Sequence, residues 1–107
     1  MREIKDLQTI EHDVLVVGAG GAGLRAAIEA SRLGLSTGVI MKSLLGKAHT
    51  VMAEGGMAAA LGNVDDRDNW KVHFRDTMRG GKFLNVWEMA EIHAKEAPDR
   101  VRELEEW

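Results

Sequence analysis

Val14-Leu15-Val16-Val17-Gly18-Ala19-Gly20-Gly21-Ala22-Gly23 is the stretch that decides the fold of this 107-residue chain. Four apolar residues in a row, led in by His12-Asp13, read as a short strand buried in a parallel sheet. Gly18, Gly20 and Gly23 then hold the G-x-G-x-x-G spacing. In that spacing the first glycine permits a tight turn and the second lets backbone approach a pyrophosphate. The third lets the following helix pack close on the strand. Leu24–Leu33 reads as that helix, with Leu24, Ala27, Ile28 and Ser31 on one face and Gly34 as its stop. A second strand follows at about Thr37–Met41. Residues 13–41 are thus one βαβ unit of a Rossmann-like α/β domain, whose helix amides face a phosphate. The prediction is a dinucleotide held by Gly18, Ala19, Gly20, Gly21, Ala22 and Gly23.

The residues closing the second strand narrow the choice of dinucleotide. Val39-Ile40-Met41-Lys42-Ser43 has no acid to grip an NAD ribose. FAD and NADP both stay open at this point, with Lys42 meeting the extra phosphate in the second case.

Beyond Met41 the pattern changes. Residues 42–63 are rich in glycine and alanine without a clean period, so they read as a long functional loop, with a short helix at Met57–Leu61. Residues 64–107 read as helical. Trp70, Phe74 and Met78 form a core stripe over Asp68–Arg79, which Gly80-Gly81 ends. Asn85 with Glu88 has the spacing of a capping box for a helix with Val86, Met89, Ala90 and His93 on one side. Pro98 is expected to interrupt that helix and to start a last one, with Val101 and Leu104 inward.

Composition excludes several function classes. Residues 1–63 carry six acids and six bases, and residues 64–107 carry eleven acids and eight bases, so no basic stripe suits a nucleic acid. The absence of cysteine rules out thiolate metal sites and disulfides within these residues. His12, His73 and His93 have no metal-ligand spacing, and the two on helices read as packed or surface residues. No apolar run is long enough to span a bilayer. Met1-Arg2-Glu3-Ile4-Lys5-Asp6 is too acidic for a transit peptide and lacks a secretory apolar core, so the chain reads as cytoplasmic.

Two strands make a poor sheet, because both edges stay unpaired and little can be buried on the faces. The chain therefore reads as the N-terminal piece of a longer protein, without the remainder of the sheet.

A set of motifs running almost the whole length then becomes decisive. Gly18–Gly23, Lys42, His49-Thr50 and Ala53-Glu54-Gly55-Gly56 open the series. It continues through Asp68-Asn69-Trp70, His73-Phe74, Asp76-Thr77, Gly80-Gly81 and Glu96-Ala97-Pro98 to Leu104-Glu105. In order and spacing this resembles the start of the succinate dehydrogenase and fumarate reductase flavoproteins. On its residues alone His49 reads as a surface-loop histidine; the resemblance implies that it bonds covalently to the flavin of FAD. A neutral imidazole is the nucleophile such a bond needs, and attachment raises the flavin's potential, which suits so poor a reductant as succinate. Extended chain from Lys42 to His49 spans roughly 20 Å, enough to run from pyrophosphate to the far edge of the isoalloxazine.

The resemblance implies further FAD contacts from Met41, Lys42, Ser43, Ala48, Thr50, Ala53, Glu54, Gly55 and Gly56. Gly55-Gly56 would lie against the flavin ring, and Glu54 stands where the family has Gln or Glu. The fold implied is the N-terminal portion of a Rossmann-like FAD-binding domain, with residues 42–63 as the flavin-contacting loop. Partners implied are succinate or fumarate, quinone-binding membrane-anchor subunits and an iron-sulfur subunit. Those partners place the protein on the inner face of the cell membrane. The family's substrate-binding and proton-shuttling residues fall beyond Trp107, so residues 1–107 alone are expected to have no turnover. One departure stands out: many members have Arg-Ser before the His-Thr, where this chain has Lys47-Ala48. Alternatives are an L-aspartate oxidase, which holds FAD without a covalent bond, a non-catalytic dinucleotide-binding fragment, and an NADP-dependent reductase.

Overall fold

The computed structural model describes residues 8–107, so the readings of Met1–Asp6 lie outside the described residues. The chain divides into two compact units, Met1–Glu54 and Gly55–Trp107, with the division falling inside the loop predicted over 42–63.

The first unit is the expected βαβ. Strand β1 (Val14–Val17) pairs in parallel with β2 (Thr37–Ile40), Val14 opposite Thr37 and Val17 opposite Ile40. Helix α1 (Gly21–Arg32) crosses between them and packs on both. The helix starts three residues earlier than its apolar period, because the glycine loop itself supplies the first turn. It ends as predicted at Gly34, whose φ of +78° is one that residues with a Cβ rarely adopt. The amides of Gly34 and Leu35 close the end on the carbonyls of Ser31 and Ala30, at 3.0 and 3.2 Å, in the Schellman arrangement.

β1 is not buried on both faces as its unbroken apolar run predicted. Val14 and Val16 are half-covered, while Leu15 and Val17 are 55% and 80% exposed. One helix covers one face of a two-stranded sheet, and among the described residues nothing in this unit covers the other. At the amino ends of the strands the backbone amide of Ser36 donates to Asp13 Oδ2 (2.8 Å). His12 Nδ1 lies 3.1 Å from the Ser36 hydroxyl, with its ring over Gly38.

The second unit is a helix pair, α2 (Trp70–Gly80) and α3 (Trp87–Glu106). Asn69 caps α2, its side-chain oxygen accepting from the amides of Lys71 (3.0 Å) and Val72 (3.4 Å). Trp70, Phe74 and Met78 are half-buried as a stripe. The buried face of α3 is Ala90, Ala94 and Ala97, small residues that let two helix backbones come close. Val86 and Met89, predicted for that face, are mostly exposed. The rings of His73 and His93 meet edge-on, 5.5 Å between centroids, and the Lys95 ammonium lies 4.6 Å from the Trp70 ring centroid.

Three local expectations are corrected here. Pro98 does not divide the last segment; α3 runs through it. The proline removes one backbone bond, but Ala90, Ala94 and Ala97 before it and half-buried Val101 after it keep one packed face. Asn85 does not cap α3. Val86 takes the N-cap position, and the Asn85 amide reaches back to the Thr77 carbonyl at 3.4 Å, so packing between the helices overrides the local capping pattern. Met57–Leu61 is not helical, and the short helical turn lies earlier, a 3-10 turn at His49–Met52. Gly55-Gly56 in front and Gly62 at φ +69° behind leave the Met57–Leu61 stretch without a cap or an anchored neighbour to nucleate on.

Among the described residues no helix is long and apolar enough to cross a membrane, and no group of histidines and acids could hold a metal ion.

Candidate functional site

The site grows from the carboxyl ends of the two parallel strands, where open α/β sheets place their ligands. β1 delivers the chain into Gly18, whose φ is +106° and whose amide donates to the Ile40 carbonyl at 2.8 Å. Ala19 is buried, and Gly20 is the N-cap of α1 with extended backbone. The glycines have different reasons to lack a side chain. A Cβ on Gly23 would run into the Gly18 carbonyl oxygen and press on Val16, so this glycine serves the closeness of helix to strand. A Cβ on Gly20 would meet only Thr50 Oγ1, at an ordinary 3.7 Å. Protein packing does not demand a glycine there, and its bareness keeps open the space beside it.

That space is a pocket of about 690 Å³. Gly18, Ala19 and Gly20 form one wall, with Val17 at the strand end. Ile40, Met41, Lys42 and Ser43 continue from β2 as the second wall. Leu44, Lys47, Ala48, His49 and Thr50 close the third. The lining holds two lysines and no carboxylate, and the α1 N-terminus lies alongside. The amides of Ala22 and Gly23 have no intrahelical carbonyl to bond, as at any helix start. Lysines, free amides and the positive end of a helix suit a diphosphate, and the mostly apolar remainder suits flat rings. The residues present therefore fit a dinucleotide such as FAD.

The 42–54 segment does not run out extended. Its 3-10 turn folds back so that Thr50 Oγ1 accepts the Gly21 amide at 3.0 Å, bringing His49 to the same pocket as the glycine loop. Gly21, Ala22 and Gly23 form the helix turn beside the pocket without lining it. Ala53 and Glu54 are exposed and outside the lining. Gly55 and Gly56 belong to the second unit, exposed, with open space where a side chain would be. Val17, Ile40, Leu44 and Lys47 were not singled out as contacts from sequence. The first two were findable from the rule that ligands sit at strand carboxyl ends, and the last two lie in irregular chain that only the fold brings round.

The second unit has a larger hollow, about 830 Å³, lined in part by Asp65, Arg67 and Arg75. Its two arginines are already paired. Arg67 Nε and Nη2 donate to the two Asp65 oxygens at 2.9 and 2.7 Å, and Arg75 Nε donates to Asp76 at 3.1 Å. The Arg67 guanidinium, helped by its backbone amide, holds the Asp65 carboxyl below the usual carboxylate range. With both cations paired and the Asp68 carboxylate also in the lining, the hollow has no unmatched positive charge to offer a phosphate.

Comparison with known proteins defines the class. Residues 13–107 match the FAD binding domain family, and the chain belongs to it. It is 52% identical over 98 residues to one of the subunits of fumarate reductase (CoM/CoB) from Methanothermobacter marburgensis, covering 91% of this chain and 18% of that protein. It is 46% identical over 105 residues to the succinate dehydrogenase flavoprotein subunit of Rickettsia bellii, covering 96% of this chain and 17% of that one. Among solved structures, a chain of the Mycobacterium smegmatis Sdh1 complex in the apo form superposes with a TM-score of 0.82 at 71% identity. That match covers 88% of this chain and 16% of the other. The family is therefore that of the succinate dehydrogenase and fumarate reductase flavoproteins, as the motifs predicted, and the chain spans under a fifth of the length of these relatives.

Proposed function

We propose that this chain is the FAD-anchoring part of a succinate dehydrogenase or fumarate reductase flavoprotein, and that His49 is the residue bonded to the flavin. The observation that carries this is the acid-free pocket in which the glycine loop, Lys42 and His49 share one lining. Gly18, Ala19 and Gly20, with the α1 amides, would hold the diphosphate. Lys42 and Lys47 would balance its charge, and Met41, Ser43, Ala48 and Thr50 would complete the wall. FAD would supply two-electron chemistry, taking hydride from succinate or giving it to fumarate. The expected partners are a quinone-binding membrane anchor and an iron-sulfur subunit, which places the protein peripherally on the inner face of the membrane.

The deciding experiment denatures the full-length protein, removes free cofactor and looks for flavin absorbance and fluorescence on the chain. Retained flavin supports the reading. Released FAD would favour the L-aspartate oxidase type, and a bound nicotinamide cofactor would reject both. His49→Ala should keep FAD by non-covalent contacts but oxidise succinate at least about tenfold more slowly, with fumarate reduction less affected. About 30 mV of potential is a factor of ten for a two-electron couple. Unchanged succinate oxidation in that variant would remove the redox argument for the bond.

A further inference from the structure

We propose that the Thr50 hydroxyl is a latch that positions His49, tying the turn that carries it to the first turn of α1. What this means for flavin attachment rests on the reading of the pocket as an FAD site; the latch itself does not.

Helix α1 begins at a glycine N-cap and so has no side chain of its own to accept a first-turn amide. Thr50 takes that role from 29 residues away, its Oγ1 accepting the Gly21 amide at 3.0 Å. The methyl group packs on the same spot, since a Cβ placed on Gly21 would come within 3.3 Å of Thr50 Cγ2. Both substituents of a β-branched side chain, which has few χ1 choices, are thereby engaged. The turn is closed locally as well, by Val51 N to Ala48 O (3.1 Å) and Ala53 N to Thr50 O (3.4 Å).

Side chains along a 3-10 helix fan out by about a third of a turn per residue. Fixing Thr50 against α1 therefore fixes the direction in which neighbouring His49 leaves the backbone, and His49 lines the pocket. Without that tie, the chain from Lys42 to Ala48 has no regular element to hold the histidine in place. Thr50 is on this view a positioning residue.

The test uses full-length protein prepared without flavin. Thr50→Val keeps the shape and removes the acceptor, and Thr50→Ser keeps the acceptor and removes the methyl. Amide hydrogen exchange is followed over the peptides containing Gly21 and His49–Met52, and flavin retained through denaturation is followed in time after FAD is added. Thr50→Val should speed exchange in both peptides and slow flavin retention, each by about two- to twelvefold, the range for loss of one hydrogen bond. Thr50→Ser, which keeps the acceptor and loses only the methyl, should be affected clearly less than Thr50→Val in both measurements. Wild-type protection in Thr50→Val, or equal loss in the serine variant, would overturn the latch. Should the wild-type protein bind FAD and release all of it on denaturation, the covalent role of His49 would fall, and the exchange data would still decide the latch.

Discussion

The unit ending at Glu54 and the unit beginning at Gly55 are both organised by small residues, and they use them in opposite ways. In the first, Gly23 lets α1 lie against the strand end, and Gly20 leaves the neighbouring space empty for something else to fill. In the second, Ala90, Ala94 and Ala97 let two helices fill the space between them. Neither unit fully buries a side chain larger than alanine among the described residues, so closeness of backbone takes the place of a conventional core. Small residues facing open space leave room for a ligand; small residues facing each other make a joint.

The largest effect that tests this contrast is expected for Gly23→Ala. Its Cβ meets a backbone carbonyl, which cannot swing aside as a side-chain tip can, so full-length protein should lose about 3 kcal/mol or more in unfolding experiments, together with its FAD. Normal flavin content in that variant would break the claim that the glycine loop is sterically set. Next comes Ala94→Leu at the fully buried centre of α3. Overpacking should cost roughly 1–3 kcal/mol in thermal or denaturant unfolding while each folded molecule keeps its FAD. Loss of flavin in proportion to Gly23→Ala would erase the distinction between site and joint. The smallest effect is expected for Asn69→Ala, which strips two amide contacts from the α2 cap and should cost about 1 kcal/mol, with early fraying of that helix in hydrogen exchange.

Much of the first unit was legible from residues alone, because its signals are local. An apolar tetrad, a glycine spacing and a helix stop at Gly34 each act within a few residues of where they are written. The second unit misled where local and tertiary signals competed. Asn85 and Glu88 have capping-box spacing, yet the Asn85 amide bonds instead at the end of α2. Pro98 is a helix breaker by its own chemistry, yet α3 is held by three spaced alanines before it and by half-buried Val101 after it. The half-exposed β1 is a third case, since an apolar run states what a strand is able to bury and leaves open what covers it.

By itself the sequence determined the βαβ unit, the glycine loop and the family to which the chain belongs, since spacing and residue type carry all three. Only the tertiary structure decided that the turn bearing His49 folds back onto the start of α1 and that Lys47 joins Lys42 in one acid-free pocket. It also decided that a proline can sit inside a continuous helix. The physical reason is the same in each case. Contacts between residues far apart in the chain depend on where irregular backbone goes, and a loop of glycine and alanine has no period from which that path could be read.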